Sequence, residues 1–280
     1  MIDFKGRVGW RGSLTRITRR ALVLDCPDLM PLRALQPPYD PVVMSWEKMI
    51  EGVSNEPPST VAVVSAFVDG APHPRVRRLI AAAALVPVVA VVPIDAAHAA
   101  GMQTLFEWGI ADVADVEFEG TPREIVPRLS NVHAAPFKAL LEPHLSRFVS
   151  MDALTLIRAA AGVVVDGGAA ADLAVVFESG ERTVAGWCRR AALPPPRRVF
   201  AWLRLLLALA SLDAPGRTAT QAASWAGYHD HSLRRATRKL LGGGVLPRPG
   251  LFATAATAFN AELRELRERA REVRRGAREA

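Results

Sequence analysis

Two short stretches, VAVV at 61–64 and VVAVV at 88–92, are apolar at every position. A strand with one wet face alternates polar and apolar residues. A strand apolar on both faces must be covered on both, which is the setting of a central strand in a parallel sheet. Helix-length segments separate these runs, so the first half of the chain is constrained to strand–helix alternation around such a sheet. The spacing predicts strands over 21–24, 41–44, 61–67, 88–92 and 113–118, and helices over 29–35, 46–53, 74–85, 96–108 and 122–129. Pro87 opens the fourth strand, where its missing N–H is tolerated. Residues 1–18, with Gly6, Gly9 and Gly12 among mixed charges, predict an irregular N-terminal arm.

After residue 131 the pattern changes, and 280 residues leave room for a second domain. Residues 132–150, with His133, Pro136, Pro143 and His144 around a helical 137–141, read as a linker. Asp152 is placed to cap a helix reaching 161, and Gly167 and Gly168 mark a turn. Helices over 169–177 and 181–190 follow, separated by a turn at 178–180. Leu173, Ala174 and Phe177 share a small core with Val184, Trp187 and Cys188, which leaves Arg182, Thr183, Ala185, Gly186 and Arg189 toward the exposed side. Beyond three prolines, residues 197–212, RRVFAWLRLLLALASL, are apolar almost all round, so this helix is buried on several sides.

A second helix pair is written in GRTATQAASWAGYHDHSLRRATRKLLG at 216–242. Thr218 with Gln221 forms a capping box that starts a helix over 219–226, and Gly227 stops it. Asp230 or Ser232 caps the next helix, which carries Arg234, Arg235, Arg238 and Lys239 between Leu233, Ala236, Leu240 and Leu241. Two short helices joined by a glycine turn, the second densely basic, suit a helix-turn-helix that lays one helix in the DNA major groove. The plain alternative is a basic surface helix closed by a glycine cap. The net charge of +7 is unevenly spread. Residues 1–150 carry 15 basic and 16 acidic side chains, 151–258 carry 13 and 7, and 259–280 carry 7 and 5. The positive charge thus sits in the half that holds the helix pairs, where it attracts a polyanion.

Composition excludes other classes. An apolar fraction of 50% with 22% charged residues describes a soluble globular protein. The longest apolar runs are broken by Arg204 or by Pro87 and Pro93 and are short for a membrane span. No secretion-type leader is evident at the N-terminus, and two lone cysteines, Cys26 and Cys188, suit a reducing cytoplasm. Neither the cysteines nor the six scattered histidines make a metal-ligand spacing, so no metal and no cofactor are expected. The chain offers no Ser-His-Asp set, paired carboxylates or glycine-rich phosphate loop, so no enzyme is expected.

The order of strands and helices over about 19–131 resembles the receiver domain of bacterial response regulators. That resemblance implies phosphorylation at an aspartate ending the third strand. It also implies an acidic magnesium cluster after the first strand, a Ser or Thr after the fourth and a Lys after the fifth. Asp25 and Asp28 follow the first strand, but the third ends in Ser65, Ala66 and Phe67, with Asp69 too late. Pro93 stands near the hydroxyl position, and the fifth strand leads into Asp115, Glu117 and Glu119 without a lysine. The implied domain is a pseudo-receiver, phosphorylation-independent, with Asp25 and Asp28 serving as loop and helix-cap residues.

The features of 152–242, two helix-turn-helix units flanking one long hydrophobic helix and closing in LLG, resemble the bipartite DNA-binding domain of the AraC/XylS family of bacterial transcription regulators. The second unit matches at Thr218, Ala223, Gly227 with Tyr228, Arg234, Arg235 and Gly242. The first matches at Leu173, Ala174, Arg182, Thr183, Trp187, Arg189, Arg190 and Leu193, followed by the prolines at 194–196. Departures are Glu178 where the turn commonly has glycine, Gly180 where Ser or Thr commonly caps, Thr237 where a large apolar residue commonly packs, and a span from Gly227 to Gly242 one residue short. The expected fold is therefore an α/β receiver-like five-stranded parallel sheet followed by an all-α double helix-turn-helix domain over 151–258.

The function implied is sequence-specific DNA-binding transcription regulation in the bacterial cytoplasm. The DNA-facing residues would be Arg182, Arg189 and Arg190 of the first unit and His229, His231, Arg234, Arg235, Arg238 and Lys239 of the second. Glu181 is able to accept from a cytosine amine, while Arg190 and Arg198 are also placed to pair with acidic neighbours. A charged helix over 259–280 repeats Leu263, Leu266, Ala270, Val273 and Ala277, a weak seam that packs on its own domain, dimerises or stays solvated. Double-stranded DNA is the expected partner. RNA polymerase or another regulator, and a second copy of the chain bound through the receiver-like domain or C-terminal helix, are further ones. Rival readings are a protein-interaction or architectural factor with a degenerate helix-turn-helix, and a phosphorylation-dependent response regulator. Incubation with acetyl phosphate is expected to leave the intact mass unchanged, whereas a stoichiometric, acid-labile adduct would overturn the pseudo-receiver expectation.

Overall fold

In the computed structural model the chain is described over residues 18–145, 149–214, 216–229, 232–242 and 245–279. It divides into two compact units, the first ending at Pro136 and the second beginning at Phe137. The N-terminal arm expected over 1–18 lies outside the described residues, apart from Thr18.

The first unit is built on β1 (Arg19–Leu24), β2 (Tyr39–Met44), β3 (Val61–Ser65), the short β4 (Phe67–Val68) and β5 (Ala71–Pro72), β6 (Val88–Val92) and β7 (Asp112–Asp115). Five of these form one parallel sheet in the order β2-β1-β3-β6-β7. This is the 2-1-3-4-5 order of a doubly wound sheet, whose crossovers reverse direction between the first and third strands. The two all-apolar runs become its centre: residues 61–64 and 88–92 are at most 3% exposed. Helices α1 (Trp46–Gly52), α2 (Pro74–Ala83) and α3 (Ala99–Trp108) contact one another in series, while α5 (Pro122–Val132) packs on a 3-10 helix at Pro27–Ala34. Both faces of the sheet are thereby covered.

Three expectations shift in detail. The helix expected at 29–35 is a 3-10 helix, because Pro27 enters its first turn and Pro31, inside it, has no N–H for an α-helical bond. The strand expected to run through Phe67 stops at Ser65. Asp69 (φ +50°) and Gly70 (φ +76°) then turn a two-residue hairpin between β4 and β5, the Asp-Gly pairing that a type I′ turn favours. The fifth strand stops at Asp115 instead of reaching 118. There the Asp115 carboxylate accepts from Glu117 N at 3.0 Å and starts α4 (Val116–Glu119). Arg128 on α5 fixes this corner with bonds of 2.7–3.1 Å to Asp112 and Glu119.

The second unit is entirely helical: α6 (Ala135–Leu141) leads in, followed by α7 (Met151–Val165), α8 (Asp172–Val176), α9 (Glu181–Arg190), α10 (Pro196–Asp213), α11 (Ala219–Trp225), α12 (Ser232–Leu241) and α13 (Phe252–Glu279). Ser150, not Asp152, caps α7, its hydroxyl accepting from Ala153 N at 3.2 Å. Extended backbone at Ser150 lets its side chain turn back over the first turn, whereas Asp152 already lies within that turn. Pro196 at the first position pre-sets the start of α10. Helix α10 contacts α7, α9, α11, α12 and α13, which accounts for its apolar surface on all sides. Trp202, Leu203 and Leu205 through Leu209 are at most 1% exposed. Among the described residues, no helix is long and apolar enough to cross a membrane.

The last helix starts earlier than 259 and packs its first half on this core. Leu251, Phe252, Ala255, Ala256, Phe259 and Leu263 are buried, whereas Val273 of the expected seam is 72% exposed. Glu262 locks the contact: it takes two bonds from Arg198, at 3.1 and 2.9 Å, and one from the Trp202 indole at 2.7 Å. Burial pushes the Glu262 carboxyl up, but these bonds outweigh it and hold the group below the usual glutamate value. A pKa lowered by folding contributes stability that is present above the unfolded value and lost as pH falls through the folded one. Glu262→Gln is therefore expected to lower Tm at pH 7, with the gap to the parent closing below about pH 4 as the parent's own carboxylate is protonated. Thermal melts of both proteins across pH 3–7 check this.

Candidate nucleic-acid interface

Two helix pairs, α8 with α9 and α11 with α12, are built on the same turn. After α8, Glu178 N bonds Val175 O at 3.0 Å and Ser179 N bonds Ala174 O at 2.8 Å. After α11, Gly227 N bonds Ser224 O at 3.0 Å and Tyr228 N bonds Ala223 O at 2.8 Å. Both are Schellman closures, which need a left-handed residue after the helix. Glu178 (φ +47°) supplies it in the first pair and Gly227 (φ +71°) in the second.

The second helices of the pairs are both ten residues long and both present basic side chains outward. On α9, Val184 and Cys188 are buried with Leu173 and Ala174 of α8, and Phe177 meets Trp187 edge to face at 5.5 Å. Arg182, Arg189 and Arg190 are exposed, as is Glu181. Gly186 is buried, not exposed as expected, because the helix face it shares turns inward; the Arg190 guanidinium lies 3.6 Å from where its Cβ would stand. Burial pushes the Cys188 thiol up to about 11, so it acts here as a packing group.

On α12, Arg234, Arg235, Arg238 and Lys239 are exposed, and Leu233 and Thr237 are buried. Thr237 satisfies its hydroxyl by bonding Leu233 O at 2.9 Å, which is how a polar residue fits where a large apolar one is expected. The Thr218–Gln221 capping box forms, with bonds of 3.2 and 3.0 Å in its two directions. His229 is exposed on the turn; His231 and Asp230 lie outside the described residues.

Arg204, midway along α10, ties the segment before α8 to the turn of the second pair. Its Nη2 bonds Gly168 O, where α7 ends, at 2.9 Å, and its guanidinium lies 3.5 Å from where a Cβ on Gly227 would stand. The Tyr228 hydroxyl donates to Ala201 O on the same helix at 3.4 Å, and burial raises its pKa far above the ordinary value despite the nearby Arg204 charge. Val184 and Ala185 of α9, Phe200 and Ala201 of α10, and Ala236 and Leu240 of α12 line one groove of about 820 Å³. The basic helices therefore flank the same groove. Sequence reasoning missed Arg204, although a lone arginine inside an apolar helix was its visible signal.

The magnesium chemistry of a receiver does not fit the first unit. At the carboxyl ends of β1 and β3 the Ser65 hydroxyl donates to Asp28 at 3.1 Å, and Asp25 is paired with Arg33. Among the described residues, no group of three or more His, Cys, Asp or Glu could hold a metal ion.

No protein-family model, curated protein or solved structure matches this chain.

The left-handed turn of the first pair carries a Cβ it does not need. Glu178→Gly is expected to raise stability by about 0.5–1 kcal/mol by relieving the positive φ. Gly180, the uncapped start of α9, sits in extended backbone, and a Cβ there would meet the Thr183 hydroxyl at 3.9 Å, an ordinary van der Waals contact. Gly180→Ser should add a few tenths of a kcal/mol. Chemical denaturation of each variant measures both effects.

Proposed function

We propose that this protein is a DNA-binding transcription regulator that reads DNA with two helix-turn-helix units of the AraC/XylS type. The observation that carries this reading is the repetition itself. Two helix pairs with the same hydrogen-bonded turn each send out an exposed basic helix, and both helices border one groove over a shared central helix. A helix-turn-helix needs its second helix free on one face and braced on the other, and α9 and α12 each have that division. Arg234, Arg235, Arg238 and Lys239 of α12, and Arg182 and Arg189 of α9, supply phosphate and base-edge contacts. Arg198 is engaged with Glu262 and serves packing instead.

The α/β unit is proposed to act as a pseudo-receiver that positions or regulates the DNA-binding unit without phosphorylation or other enzymatic activity. Its strand order supports this, as does Ser65 at the end of β3, bonded to Asp28 where a phospho-acceptor would need a free carboxylate. The proposed setting is the bacterial cytoplasm, with duplex DNA as the partner.

Selection of genomic fragments by the full-length chain at several salt concentrations, followed by sequencing, should enrich one motif. Binding without enrichment would favour an architectural role. The double substitution Arg234→Ala, Arg235→Ala is expected to weaken binding at least tenfold. Each phosphate contact removed should lower the slope of log K against log salt by about 1. Unchanged binding by the double variant would sink the assignment of α12.

A further inference from the structure

The C-terminal half of α13 is not explained by packing on α10. Beyond Leu263, three of its arginines, Arg264, Arg267 and Arg271, repeat at intervals of three and four and so share a face. That face meets the C-terminal end of α9 and the start of α7 around a pocket of about 170 Å³, lined by Arg190, Arg264, Arg267 and Arg271 together with Ser150 and Ala153. Among the described residues no carboxylate lines it: Asp152 on α7 and Glu265, Glu268 and Glu272 on α13 are not part of its lining, and Glu265 bonds Arg269.

Four like charges around so small a space repel one another, and like charges three or four residues apart on a helix destabilise it. The Nη1 of Arg267 is buried and has no hydrogen-bond partner among the described residues. A buried guanidinium N–H without an acceptor costs free energy that an anion in the pocket would recover. The start of α7, a helix of 15 residues, adds the positive end of its dipole. Guanidinium groups match oxyanions in a forked, two-bond geometry, and the space is on the scale of a phosphate or diphosphate group.

We propose that this pocket binds a phosphate group, through Arg190, Arg264, Arg267 and Arg271. The group comes from a small phosphorylated molecule or from a DNA backbone, and the chemistry of recognition is shared by the two. The site is separate from α12, and its occupancy does not depend on DNA being read there.

The test uses the full-length protein and inorganic phosphate at constant ionic strength, with chloride as the control ion, read by thermal melts and titration calorimetry. Phosphate is expected to raise Tm saturably and chloride not to. R267Q and R271Q, which keep helix propensity, should each weaken phosphate about tenfold, the scale of one lost charged hydrogen bond, while R269Q, outside the pocket, should not. Equal responses to phosphate and chloride, or full phosphate binding by both pocket variants, would overturn the site. Given phosphate binding, DNA titrations then separate the sources. If R267Q lowers the salt slope by about 1 and phosphate competes with DNA, the group is a backbone phosphate; if the slope is unchanged, it belongs to a small molecule. A phosphate response retained by the Arg234→Ala, Arg235→Ala protein keeps this site standing even where DNA reading fails.

Discussion

The burial of α10 is the constraint on which the helical domain depends. A helix apolar around its whole circumference is stable only when enclosed, and five other helices contact this one. Each fully buried leucine contributes about 1.5–3 kcal/mol relative to exposure, so the five helices are held chiefly by a common centre. The pairs α8–α9 and α11–α12 are too short to persist alone. Their geometry is inherited from the surface of α10, and Arg204 makes that inheritance specific. One guanidinium bonds the segment between α7 and α8 and lies against the glycine of the second turn, so it ties that segment to the second pair.

Similar turns do not make the two pairs equal. The second has a glycine at its left-handed position, a reciprocal capping box and a six-residue connection from Ala226 to the start of α12. The first has a glutamate at the left-handed position, a four-residue connection and a glycine cap that contributes no side-chain bond. Backbone strain and a missing cap both act on the start of α9, the end that a recognition helix directs toward bases. With four exposed cations against three on α9, α12 also has the larger electrostatic share. Under the proposed DNA-binding reading, that difference makes α12 the base reader and α9 chiefly a holder of the backbone.

The sheet was legible because its two central strands are apolar at every position, a pattern with few other solutions. Element ends were less so, and each miss has a local cause. Pro31 turned a helix into a 3-10 helix, the Asp69–Gly70 turn cut a strand short, and the Asp115 carboxylate captured an amide that a sixth strand residue would have presented. The exposed cations of the interface were readable from spacing around Val184, Cys188, Leu233 and Thr237. Arg204 and Glu262 were not placed, since their roles rest on contacts made across 36 and 60 or more residues, which no local pattern records.

The two halves of α13 show how burial and charge divide one helix. From Phe252 to Leu263 an apolar stripe and the Glu262 clamp fix it to α10. That anchoring makes the next turns possible: a free helix would separate Arg264, Arg267 and Arg271 from Arg190, because like charges repel. Clamped at its first half, α13 holds them around one small space against their repulsion. Part of the free energy gained at Trp202 and Phe259 therefore works against the mutual repulsion of these arginines a few turns away. An oxyanion entering there relieves that repulsion, so occupancy of the pocket and attachment of α13 are expected to strengthen each other.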